Sequence, residues 1–185
     1  MSFINSRFGT WRGAVRLALS YGEVALGQAE ILPADPAAVQ RLVFVCHGNI
    51  CRSAFADVAA RRAGLRVASF GLSTDVGKPA HPPAVLAAAD LGFDLTAHRT
   101  TRAGDFAPGP GDLLLAMETR QLRRLAGDAR FADVPRTLLG LYATPRLPHL
   151  HDPYALDPAY MVACLKRIES AVTNLCEAFP GARLS

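Results

Sequence analysis

Val45-Cys46-His47-Gly48-Asn49-Ile50-Cys51-Arg52-Ser53 is the stretch of this chain whose residue types can do chemistry. A short apolar run ends in a cysteine, five residues intervene, and an arginine opens an alanine-rich segment. Between a strand and a helix such a loop makes an anion cradle. Successive backbone N–H groups converge on one oxyanion, and the helix N-terminus adds partial positive charge. Gly48 and Asn49 are residue types that tolerate positive φ. Arg52 can grip two oxygens of a phosphoryl group with its planar fork, which lysine cannot. The same field favours a thiolate at Cys46, so the pattern predicts a cysteine nucleophile facing an anion. The competing reading is a structural cysteine at a strand end with an unrelated arginine after it. A bare Cys–Arg spacing arises often by chance, but the strand before, the helix after and Gly-Asn between favour the cradle.

The elements that must hold this loop follow from hydrophobic patterning. Arg41-Leu-Val-Phe-Val-Cys46 is a buried strand, and residues 52–64 form a helix that Gly64 stops. Strands are predicted at 66–70, 112–116 and near 136–140, and helices at 83–91, 118–126 and 158–178. Strands alternating with helices imply an α/β fold whose parallel sheet is covered on both faces. Pro33-Ala-Asp-Pro36 reads as a linker. It divides an N-terminal helical extension (1–36) from a catalytic unit (37–185).

The chain has 185 residues, 50% hydrophobic and 19% charged, with net charge +4. That suits one domain and excludes disorder as the dominant state. No run approaches the roughly 18 apolar residues of a membrane span, so stable membrane insertion is not expected. The mild basic excess carries no nucleic-acid motif, so no nucleic-acid partner is expected. Four cysteines, at 46, 51, 164 and 176, do not make a disulfide scaffold. With no convincing secretion signal at the start, a reducing, cytoplasmic compartment is expected.

The loop resembles that of the low-molecular-weight protein tyrosine phosphatases, Cys-X-Gly-Asn-X-Cys-Arg-Ser-Pro. Residues 46–53 match every fixed position, and Ala54 replaces the final proline. The resemblance spans about residues 41–178 and takes in Asp152-Pro153-Tyr154. It implies a three-layer α/β/α fold with a four-stranded parallel sheet in the order 2-1-3-4, and no cofactor or metal. It also implies that Cys46 is the nucleophile, that Arg52 binds the phosphoryl oxygens and that Asp152 is the general acid and then base. Asn49, Ser53, Ser69 and His98 match the supporting network, while Tyr154 and Ile50 match walls of the substrate ring. The implied substrate is a tyrosyl-phosphorylated protein, such as an autophosphorylating bacterial tyrosine kinase of polysaccharide export. Departures lie at loop 70–77, one residue short and without its aromatic; at Ala155, where a second aromatic often stands; at Glu118, where Asp is usual; and at Thr101, where an arginine is expected and for which Arg102 can substitute.

Other features of the chain have plainer readings. Cys51 is either a redox guard for Cys46 or a small packing residue. Cys164, Cys176, Tyr142 and Tyr160 read as packing, His81 as loop surface, and the arginine pairs 61–62 and 123–124 as solvated faces. His149-Leu-His151-Asp152 lacks the further ligands of a metal site. Arsenate reduction is disfavoured by the absence of cysteines between 51 and 164. A binding module without turnover would need neither nucleophile nor acid. Residues 10–28 form a helix with Arg12, Arg16, Ser20 and Glu23 on one narrow stripe and Trp11, Val15, Leu17, Leu19, Tyr21, Val24 and Leu26 around the rest. The expectation is docking on its own domain by this apolar arc, away from the Cys46 loop. An oligomer contact through 10–28 ranks second, and a membrane surface third.

Overall fold

In the computed structural model, which describes residues 3–184, the order of elements is α1 (Phe3–Phe8), α2 (Trp11–Ala25), β1 (Arg41–Cys46), α3 (Arg52–Arg62), β2 (Val67–Gly71), α4 (Pro82–Asp90), β3 (Asp112–Ala116), α5 (Thr119–Ala126), β4 (Arg136–Leu138) and α6 (Pro158–Ala178). The four strands form one parallel sheet in the order β2-β1-β3-β4, as the resemblance implies. Both faces of the central strands are buried, which is why they read as unbroken apolar runs. On β1, Leu42 and Phe44 enter one core with α3, α4 and α6, while Val43 and Val45 enter a second core with Leu122 and Leu125 of α5. The fourth strand is shorter than the predicted 136–140. The chain turns into a 3-10 helix at Leu139–Tyr142.

The order reverses at β1, so the loop after Cys46 opens at the sheet's switch point, above the carboxyl ends of the strands. Residues after Pro33 and Pro36 enter the sheet, but the segment before them is tied to it as well. Leu32 exchanges two backbone hydrogen bonds with Arg136, covering the free edge of β4.

The extension departs from expectation in part. Helix α2 does dock on its own chain, through Gly13, Ser20 and Glu23 together with Val24 of the apolar arc, which packs against the second core. Trp11, Val15, Leu19, Tyr21 and Leu26 are left exposed. The docking partners explain the inversion. The Glu23 carboxylate pairs with Arg123 at 2.7 Å, and the missing side chain of Gly13 lets the helix approach the His151 ring, which a Cβ would meet at 3.0 Å. The receiving surface therefore takes polar and small residues beside the single apolar contact of Val24. None of its residues lines the Cys46 cavity, but its first turn reaches the segment that leads into Asp152. The Thr10 hydroxyl lies 3.3 Å from His151 Nε2, and the Tyr21 hydroxyl donates to the Arg146 carbonyl at 2.6 Å.

Candidate active site

The loop from Cys46 to Arg52 wraps the mouth of a cavity of about 630 Å³, lined by Cys46, His47, Gly48, Ile50, Cys51, Arg52, Leu72, Asp152 and Tyr154 among others. Of the two residues suited to positive φ, Asn49 adopts it, at 53°; Gly48 is not among the residues that do. Asn49 is the hub of the loop. Its backbone N–H donates to Cys46 Sγ at 3.1 Å, and its side-chain amide donates to Ser53 Oγ at 2.9 Å and Ser69 Oγ at 3.1 Å. Its side-chain oxygen accepts from the Thr101 N–H, and its backbone carbonyl lies 2.7 Å from His98 Nε2. Burial holds the His98 imidazole below its ordinary range despite that bond. A neutral ring with one N–H suits a donor to a carbonyl. The Ser53 hydroxyl stands 3.0 Å from Cys46 Sγ, so the Asn49 N–H and this hydroxyl both face the sulfur.

Arg52 opens α3 with its side chain 1% exposed. Nη1 donates to Glu118 Oε1 at 2.7 Å and to the Leu150 carbonyl at 2.8 Å, and Nη2 lies 2.7 Å from Asp152 Oδ2. Burial alone would lower the guanidinium's pKa, but the charges of Asp152, Glu118 and Cys46 raise it overall, so it stays charged. Its Nε is buried without a hydrogen-bond partner among the described residues. A buried cationic donor of this kind is costly unless a ligand satisfies it. Burial pushes the Glu118 carboxyl up, yet Arg52 and the hydrogen bonds from Arg120 and Arg52 bring it down to about 2. Glu118, noted in the sequence only as a departure, is thus the anchor that aims the arginine fork.

Asp152 is partly exposed at the cavity mouth. The segment that carries it is held from below by Leu150, whose N–H donates to the Met117 carbonyl. Tyr154 forms the outer wall against His81, with ring centroids 4.8 Å apart. His81 is therefore a support of the rim and not plain loop surface. The shortened loop contributes Leu72, Ser73, Thr74 and Asp75 to the opposite wall, so that side is aliphatic and polar, and Arg102 lines it while pairing with Asp105. Gly71 was also missed. A Cβ there would come within 3.0 Å of the His47 carbonyl oxygen and the Gly48 carbonyl carbon, so the loop can cross β2 only over a glycine.

Cys51 is buried and lines the cavity. Burial pushes its thiol up, with the nearby Asp152 and Cys46 charges adding to the effect. Cys164 is fully buried in the core, its thiol pushed by burial to about 12, and Tyr160 is buried with its hydroxyl on the His151 carbonyl. His149 and His151 approach within 3.4 Å, and burial drives His149 down to about 4. Among the described residues no group of three metal-ligating side chains converges. The arginine pairs are exposed, as solvated faces are, and each residue also has a partner. Arg61 bonds Asp57, Arg62 lies over the Phe93 ring, Arg123 holds Glu23, and Arg124 caps the Leu72 carbonyl.

A four-stranded 2-1-3-4 sheet with a Cys–Arg loop at its switch point is the fold of the small cysteine phosphatases. The crystal structure of the Erwinia amylovora tyrosine phosphatase AmsI superposes with a TM-score of 0.65 at 25% identity, covering 80% of this chain and 98% of that one. The family model for low molecular weight phosphotyrosine protein phosphatase matches residues 41–183, and the chain belongs to that family. A probable low molecular weight protein-tyrosine-phosphatase, EpsP of Ralstonia solanacearum, is 36% identical over 89 residues, 47% of this chain and 61% of the relative. The Escherichia coli K12 phosphatase Wzb is 38% identical over 86 residues, 45% of this chain and 58% of the relative. The chain thus spans about three fifths of the length of these two relatives. Residues 1–40 lie outside the family match.

Proposed function

We propose that the protein hydrolyses phosphotyrosine in tyrosyl-phosphorylated proteins through a phosphocysteine on Cys46. The Cys46 thiolate attacks phosphorus as the P–O bond to the tyrosyl oxygen breaks, and the Asp152 carboxyl gives its proton to the departing phenolate. The Asp152 carboxylate then takes a proton from water as that water attacks phosphorus, the S–P bond breaks, and phosphate leaves. Arg52 and the N–H groups of residues 47–52 neutralise the charge of both transition states. Ile50 and Tyr154 flank the aryl ring, and Ser53, Asn49, Ser69 and His98 hold the loop. In this reading residues 37–185 are the catalytic unit and residues 1–36 an added extension.

The observation that carries the proposal is the unpartnered, buried Arg52 Nε beside the Cys46 loop. A phosphoryl oxygen is the acceptor such a donor calls for. Relatives bearing tyrosine-phosphatase names support the aryl substrate, as does a cavity walled by Tyr154 and Ile50. The test is hydrolysis of para-nitrophenyl phosphate and of a phosphotyrosyl peptide. Cys46→Ser is expected to abolish turnover yet still bind vanadate, because the loop amides and Arg52 remain. Normal turnover by that variant would end the covalent mechanism. Vanadate binding with no turnover by the unaltered protein would make it a phosphate-binding module.

A further inference from the structure

The docking of α2 through Gly13, Ser20, Glu23 and Val24 leaves an apolar face of the helix uncovered. Nine large hydrophobic side chains are exposed among the described residues. Five of them are Trp11 (63% exposed), Val15, Leu19, Tyr21 and Leu26 (72%), all on α2 or its C-cap. At about 100° per residue, Trp11, Val15, Leu19 and Leu26 share one face with Ala18 and Gly22, and Gly22 has open space around it. An uncovered patch of this kind marks an interaction surface.

The charges around the face select its partner. Arg12 and Arg16 follow Leu19 around the helix on one border, both exposed; Arg12 lies 5.7 Å from the Trp11 ring centroid, and the charge of Arg16 acts on Glu23. On the other border the Tyr21 hydroxyl reaches the backbone of exposed Arg146. The helix has one acid, Glu23, and it is turned inward to Arg123. An apolar face with an exposed tryptophan and a cationic border is the pattern of a helix lying in a membrane interface. A second copy of the chain is the other occupant such a face could take, and the experiment below separates the two. With 15 residues, α2 is too short to cross a bilayer, which takes about 20.

We infer that the exposed face of α2 is a docking surface for an anionic lipid bilayer, with Trp11, Val15, Leu19 and Leu26 entering the interface and Arg12 and Arg16 meeting lipid phosphates. The inference does not depend on the reaction at Cys46. Trp11 is the chain's single tryptophan, so its fluorescence reports this face alone. Vesicles of phosphatidylcholine containing phosphatidylglycerol are expected to shift its emission to the blue and to carry the full-length protein down on centrifugation. Pure phosphatidylcholine vesicles, or high salt, should weaken both effects. Leu19→Glu should cut partitioning at least tenfold at unchanged melting temperature, and Arg12→Gln about fivefold, the equivalent of about 1 kcal/mol per basic residue near such a surface. Leu86→Glu, an exposed apolar site on α4, should change neither. Absence of a blue shift and of co-sedimentation with the anionic vesicles would overturn the inference. So would a shift that follows protein concentration without lipid, together with a doubled mass, which would assign the face to a second copy.

Discussion

Replacing Glu118 tests whether the buried carboxylate is what holds the arginine fork. Its side chain is 1% exposed and takes hydrogen bonds from Arg52 Nη1 at 2.7 Å and Arg120 Nε at 2.6 Å. Burial opposes its charge, but the Arg52 charge and the two arginines' hydrogen bonds more than offset this, bringing the group from 4.5 to about 2. At about 1.4 kcal/mol per tenfold change in proton affinity, that difference is worth about 3 kcal/mol of folding stability. Because the folded-state value is depressed, the contribution is complete above about pH 4.5 and is lost as pH falls toward 2. Glu118→Gln keeps an acceptor oxygen but removes the charge. It should cost about 3 kcal/mol at pH 7, a fall of roughly 6–12 °C in melting temperature for a chain of this size. Urea unfolding of both proteins from pH 7 down to pH 2.5 reads the effect directly. The gap between them should narrow steadily below pH 4.5. A variant as stable as the parent at pH 7, or a gap that does not change with pH, would refute the reasoning.

Three further outcomes follow from the site. Asp152→Asn should lower kcat/KM most for aryl phosphates whose leaving groups have high pKa, since good leaving groups need no proton; equal losses across such a series would remove Asp152 from the acid role. Mild peroxide should abolish the proposed turnover reversibly: Cys46 is oxidised to a sulfenic acid, the Cys51 thiol displaces water to form a disulfide, and dithiothreitol restores both thiols. Mapping that finds Cys46 as sulfinic acid with Cys51 still free would reject this guard. Thr10→Val removes the hydroxyl that caps α2 through the Gly13 N–H and meets His151. It should cost about 1 kcal/mol and reduce turnover of poor leaving groups, with Thr10→Ser restoring both. An unaltered leaving-group dependence would show that the extension does not steady the segment bearing Asp152.

Local pattern was enough for the sheet and the anion loop. The strand Arg41–Cys46 is apolar at successive positions because both its faces are buried, and the Cys–Arg spacing is a property of one continuous loop whose chemistry needs no distant partner. Element ends shifted by one to three residues, because caps depend on neighbours, and β4 was cut short by the turn at Leu139–Tyr142. Whatever is assembled from separated segments had to wait for the tertiary structure. Nothing near residue 118 announces that its carboxylate will meet Arg52, 66 positions away. Nor does Ala80-His81-Pro82 show that its ring will brace Tyr154. The helix at 11–25 carries the sharpest lesson. Its periodicity was legible, but amphipathicity only says that a helix has two faces. Which face turns inward was decided by Arg123, His151 and Arg146, partners that satisfy polar groups and leave room for Gly13 where leucines would not fit.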